Sequence, residues 1–106
     1  MQEIDTQNAE FEDRVKILKN KTILAVDLKR FNDAQLSVDE LLTMKNLSQE
    51  DTEFAWTQKA YLSELLLDFR SAMLAIENTH KLYKEDEKLL KLALFAELSG
   101  ISSSEY

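Results

Sequence analysis

One short motif in the chain could hold a metal. Glu77-Asn-Thr-His80 sets a carboxylate and an imidazole three residues apart, and on a helix that spacing brings both onto one face. Bundles that bind a pair of iron or manganese ions take such a Glu-x-x-His from each of two helices and further glutamates from their neighbours. His80 is the sole histidine. A two-metal site would therefore need two copies of the chain, with Glu50, Glu53 or Glu64 as the bridging carboxylate. The same residues have a plainer reading, in which His80 continues an apolar stripe as a hydrogen-bonded, partly buried side chain beside an exposed Glu77. Two fixed positions out of four do not make a site, so no metal and no cofactor is assigned.

Other chemistries fail on composition. Without cysteine, disulfides, zinc thiolates and cysteine nucleophiles are excluded. Any Ser-His-Asp arrangement would have to pass through His80, and no serine sits on a nucleophile elbow. A single glycine, Gly100, cannot build a phosphate-cradling loop. Pairs of carboxylates suited to acid–base work arise by chance among 20 acids. The expectation is a protein that is not an enzyme.

The elements that must position these residues are helices. The chain has no proline, whereas a β-rich chain needs tight turns built from Gly, Pro or Asn-Gly pairs. A first helix is predicted from about Asn8 to Ala34. In it Phe11, Val15, Leu18, Thr22 and Ala25 form one apolar stripe, and Ile17, Leu24, Leu28 and Phe31 form a second, a pattern that calls for burial on two sides. The β-branched run Thr22–Leu28 would be a lone strand without turns and is read as helix. Ser37-Val-Asp-Glu40 and Ser48-Gln-Glu-Asp51 each place a hydroxyl three residues before an acid, the capping-box arrangement. They predict a short helix from Val38 to about Asn46, burying Val38, Leu41, Leu42 and Met44, and a main helix from Gln49. This elbow is acidic, so it does not suit the reading of DNA.

From Gln49 the helical pattern runs to Ser99, along the stripe Leu62, Leu66, Phe69, Met73, Ile76, His80 and Tyr83, widened by Leu65 and Ala72. The stretch from Leu89 to Leu98 is apolar nearly all round, and Gly100 suits a C-terminal cap. One rod of about fifty residues would span roughly 75 Å and could not bury its own stripe. A break is therefore expected near Asn78–Thr79 or Lys84–Glu87. The second position is favoured because Glu85-Asp86-Glu87 suits a helix amino terminus. Residues 1–7 and 101–106 are expected to fray.

Charge bounds the partners. The net charge of −7 disfavours sequence-independent binding to nucleic acid or anionic lipid. It is unevenly spread: residues 1–13 hold five acids, residues 14–31 hold six bases against Asp27, and residues 32–53 hold six acids against Lys45. This alternation fits neutralisation between neighbouring helices, or a basic stripe for an acidic or phosphate-bearing partner. No apolar run approaches the roughly 20 residues of a membrane span, and the acidic start lacks the pattern of a signal peptide. A cytoplasmic home follows as the expectation, signal-independent secretion being the other route.

Trp56 near the middle of the chain and the later Tyr83-Lys-Glu-Asp-Glu87 resemble, in two short spots, the helical-hairpin substrates of type VII secretion systems. Those carry a mid-chain Trp-x-Gly turn and a Tyr-x-x-x-Asp/Glu export signal. Here Thr57-Gln58 follows the tryptophan, so the turn glycine is missing. The resemblance would imply a small exported helical partner.

The reading taken forward is a single all-α domain over residues 1–106. It is expected to be a helical hairpin or small helix bundle with a long C-terminal helix, completed by homo-oligomerisation. Its expected function is non-enzymatic protein–protein interaction, as an adaptor, assembly chaperone or inhibitor. The expected contact residues are Ile17, Leu24, Leu28, Phe31, Trp56, Leu90, Leu94, Phe95 and Leu98. The alternatives are the type VII-like partner, the dimeric di-metal protein and an acidic mimic of nucleic acid.

Overall fold

Helix formation is nearly continuous along the chain, and every break in it is made without proline or internal glycine. The computed structural model describes residues 2–100, with side chains from residue 9 onward. It is all-α. The described residues form five helices: α1 (Gln2–Asp27), α2 (Phe31–Leu42), α3 (Gln49–Leu65), α4 (Phe69–Glu77) and α5 (Glu85–Leu98). They divide into two compact units between Met44 and Lys45. No helix among them is long and apolar enough to cross a membrane.

In the first unit α1 packs against α2. The stripe Val15, Leu18 and Thr22 of α1 is buried, and so are Ala34, Ser37, Val38 and Leu41 of α2, residues that recur at the three-to-four spacing of one helical face. Thr22 is buried because its hydroxyl is satisfied locally, donating to the Leu18 carbonyl at 2.8 Å. The expected helix from Asn8 to Ala34 is corrected twice. It starts at Gln2, taking in residues expected to fray, and it stops at Asp27. Lys29 adopts a left-handed conformation (φ 58°). The Arg30 N–H donates to the Ala25 carbonyl (2.8 Å) and the Lys29 N–H to that of Val26 (3.0 Å), the paired bonds of a Schellman motif.

Ser37 is a buried residue inside α2 and caps nothing. The helix expected from Val38 to Asn46 is instead α2, starting at Phe31 and ending at Leu42. Its first turn carries Asp33, which pairs with Arg30 at 2.7 Å. Arg14 of α1 and Glu40 of α2 form an ion pair across the helix pair.

The second unit holds three helices, with α4 packed against both α3 and α5. Ala60, Ala72, Met73, Ala75, Ile76, Leu92, Phe95 and Ala96 form its core, and Trp56, Phe69, Leu82 and Tyr83 pack against them. Small alanines on α4 and α5 leave room for the aromatic rings, and Phe69 stacks on Phe95 with centroids 5.4 Å apart.

The long C-terminal helix is thus three helices. The Ser48 cap stands as expected: its hydroxyl accepts the Asp51 N–H at 3.0 Å, and α3 begins at Gln49. The first break, at Leu66–Asp68, is unforeseen. Leu67 takes φ 60°, the Asp68 N–H donates to the Ser63 carbonyl (2.8 Å) and the Leu67 N–H to Glu64 (3.1 Å). Asp68 then caps α4, accepting the Ser71 N–H at 3.3 Å. The second break spans Asn78–Lys84, and α5 opens on Glu85, Asp86 and Glu87 as the acidic cluster predicts. Gly100 (φ 82°) follows α5, its N–H donating to the Glu97 carbonyl. The tail at 101–106 lies outside the described residues.

Candidate interaction surfaces

The Glu77–His80 spacing loses its meaning where the helix ends. Glu77 is the last residue of α4, and His80 lies in the following connection, so the two do not share a helical face. The carboxylates proposed to join them have other tasks. Glu53 of α3 accepts the backbone N–H of His80 at 2.8 Å and that of Lys81 at 3.2 Å. Glu64 pairs with Lys91 at 3.3 Å. Glu50 is exposed in the first turn of α3, where an acid complements the helix dipole. Among the described residues no three His, Asp or Glu side chains gather to hold a metal ion.

What Glu53 does hold is the α4–α5 connection. Two successive N–H groups of a connection need acceptors, and a carboxylate from a neighbouring helix supplies both with charge-assisted bonds. On the other side Lys88 of α5 donates to the carbonyls of Thr79 (3.0 Å) and Glu77 (3.4 Å), capping α4 with a cation where one is favoured. Thr79 is itself buried, its hydroxyl donating to the Ile76 carbonyl. Lys91 lies over the rings of Tyr83 and Phe95, with its Nζ 5.6 and 5.3 Å from the centroids. These are structural contacts of polar side chains, and sequence spacing could not reveal them because the partners are up to 28 residues apart.

The expected contact residues separate into two groups. Phe95 is 3% exposed, and Trp56 packs against the same core; both serve the interior of the second unit rather than its surface. Phe31 is half-buried at the start of α2, beyond the break, and so leaves the α1 stripe. Ile17 and Leu24 of α1, Leu28 in the turn that follows it, and Leu90, Leu94 and Leu98 of α5 are all exposed.

Leu24 and Leu28 have a more specific setting. With Ala25 and Leu36 they line a groove of about 490 Å³ beside the α1–α2 turn. Leu36 is 69% exposed and was not foreseen as a contact residue; its signal is that it lies off the Ala34–Val38–Leu41 face of the same helix. Lys21, Arg30, Asp33 and Glu40 also line the groove. Arg30 and Asp33 pair with each other, and Glu40 pairs with Arg14.

The similarity to type VII substrates loses its turn at Trp56, which lies inside α3. Tyr83 precedes α5, and Glu87 lies within it. The chain matches no protein-family model, no curated protein and no solved structure.

Proposed function

We propose that this protein is a non-enzymatic interaction module, which binds the amphipathic helix of another protein in the groove between α1 and α2. The observation that carries the reading is the fate of the second stripe of α1. Ile17, Leu24 and Leu28 are spaced as a helical face would be, yet they stay exposed while the neighbouring stripe is buried. Leu24 and Leu28 meet Leu36 at a concave site with charges around it, the form in which helix-in-groove recognition takes side chains at i, i+3, i+4 and i+7. Apolar contact at the centre with polar groups at the rim is the usual anatomy of such an interface.

The test compares baits. The wild-type chain and the double variant Leu24→Glu/Leu28→Glu are used for affinity purification from the source cell, followed by mass spectrometry. A partner retained by the wild type and by an exposed polar control such as Asn32→Ala, but lost with the double glutamate variant, supports the reading. Equal recovery by all three baits contradicts it.

A further inference from the structure

We infer that α5 is a detachable lid. At rest it covers an apolar face of α4, and it swings away as one unit about the connection at 78–84 when two polar side chains, Glu53 and Lys88, release that connection. The inference concerns the second unit alone and is independent of the groove beside α1.

What holds α5 in place is small for its length. Of its 14 residues, Leu92, Phe95 and Ala96 are buried, whereas Leu89, Leu90, Leu94 and Leu98 are exposed and add little to its docking. Within its unit α5 packs against α4 and not against α3. Phe69 and Phe95 stack across the α4–α5 boundary. Lys91 reaches α3 through a part-exposed ion pair with Glu64, a kind of contact worth little in water. Without α5, α3 and α4 remain a packed helix pair, the arrangement that α1 and α2 form in the first unit. A segment tied on by few apolar contacts opens at lower free energy than the unit as a whole.

The hinge is gripped from both sides. Among the described residues no backbone N–H from His80 to Lys84 donates to a backbone carbonyl. Instead Glu53 of α3 accepts those of His80 (2.8 Å) and Lys81 (3.2 Å). Lys88 of α5 donates to the carbonyls of Thr79 (3.0 Å) and Glu77 (3.4 Å). Two charged side chains therefore satisfy four backbone groups at residues 77–81, through bonds roughly twice as strong as neutral ones. They form the latch. Leu82 and Tyr83 rest against the same core and leave with α5.

Opening uncovers the α4 part of that core, Ala72, Met73 and Ile76, with Phe69 beside it. This face already receives a helix that presents Leu92, Phe95 and Ala96 at i, i+3 and i+4. α5 is the resting occupant of a helix-binding face, and the latch sets how often that face is free.

The chain has no cysteine, so single introduced thiols report opening. Ala96→Cys places one beneath α5, and Ala55→Cys places one at a buried position of α3 outside the α5 core. In native buffer with iodoacetamide, Ala96→Cys should label at least about tenfold faster than Ala55→Cys. Adding Glu53→Ala or Lys88→Met should quicken Ala96→Cys about tenfold more and leave Ala55→Cys unchanged. Circular dichroism verifies helicity, and hydrogen exchange of the unsubstituted chain repeats the comparison between α5 and α3 amides with the core untouched. Equal labelling of the two thiols, or α5 amides as well protected as those of α3, would overturn the lid. Latch variants that quicken both thiols equally, or neither, would overturn the latch.

Discussion

α1 and α4 are both amphipathic helices, and they meet different fates. α4 packs against two neighbours within its unit, α3 and α5. Ala72, Met73, Ala75 and Ile76 are all buried, and Leu74 is the exposed large apolar residue on it. α1 is nearly three times as long, at 26 residues against 9, and meets one neighbour within its unit, α2. It buries Val15, Leu18 and Thr22 and leaves Ile17, Ile23 and Leu24 exposed. A helix needs a neighbour for each apolar stripe it carries. Where the unit supplies too few, the remaining stripe is surface suited to a partner.

That contrast can be broken most sharply on α5, which carries both kinds of face. Phe95→Ala removes a buried, stacked ring and should cost about 3–5 kcal/mol of unfolding free energy, a large share of the roughly 5–15 kcal/mol that holds a domain together. Leu90→Ala, five residues away at 71% exposure, should change it by less than about 0.5 kcal/mol in the monomer. Urea titrations of the two variants give the comparison. Equal losses would mean that the leucine row is core.

The second unit should also depend on its polar clamp. Glu53→Ala takes the acceptor from the N–H groups of His80 and Lys81 and should cost about 1.5–3 kcal/mol. Hydrogen exchange at those two amides should rise in step. No change at either amide would show that the connection holds itself.

All-α content, the buried stripe of α1, the Ser48 cap and the acidic start of α5 were legible because each is a local signal: missing breakers, a period of 3.6, a hydroxyl before an acid, a run of acids. The two unforeseen breaks were not, because the residues in left-handed conformation are Lys29 and Leu67, where glycine would have announced the turn. Asp68 before Phe69 was the available sign of α4. Ser37-Val-Asp-Glu40 misled for the opposite reason. A hydroxyl and an acid three apart also occur inside a helix, and what decides is whether the residues upstream are already helical. The candidate metal motif failed with the helix boundary, since i, i+3 geometry holds only while both residues are on the helix. The Glu53 and Lys88 contacts join residues distant in sequence and leave no local pattern.

The breaks themselves supply the smaller effects. Asp68→Ala removes the side-chain acceptor that starts α4 and should cost about 1 kcal/mol, measured by thermal or urea unfolding. Leu67→Gly removes a side chain that is 72% exposed from a left-handed position and should stabilise by about 0.5–1 kcal/mol. Lys29→Gly tests the corresponding turn of the first unit in the same sense. Destabilisation by either glycine would contradict the placement of these turns.

The central claim is that the apolar residues left exposed on α1 serve association and contribute little to folding. Affinity purification with the wild type and with Leu24→Glu/Leu28→Glu as baits, at matched helicity, tests it most directly. A partner retained by the wild type and lost with the double variant is expected, with the helicity and unfolding free energy of the variant unchanged. Equal recovery by both baits, or a double variant that unfolds, would contradict it.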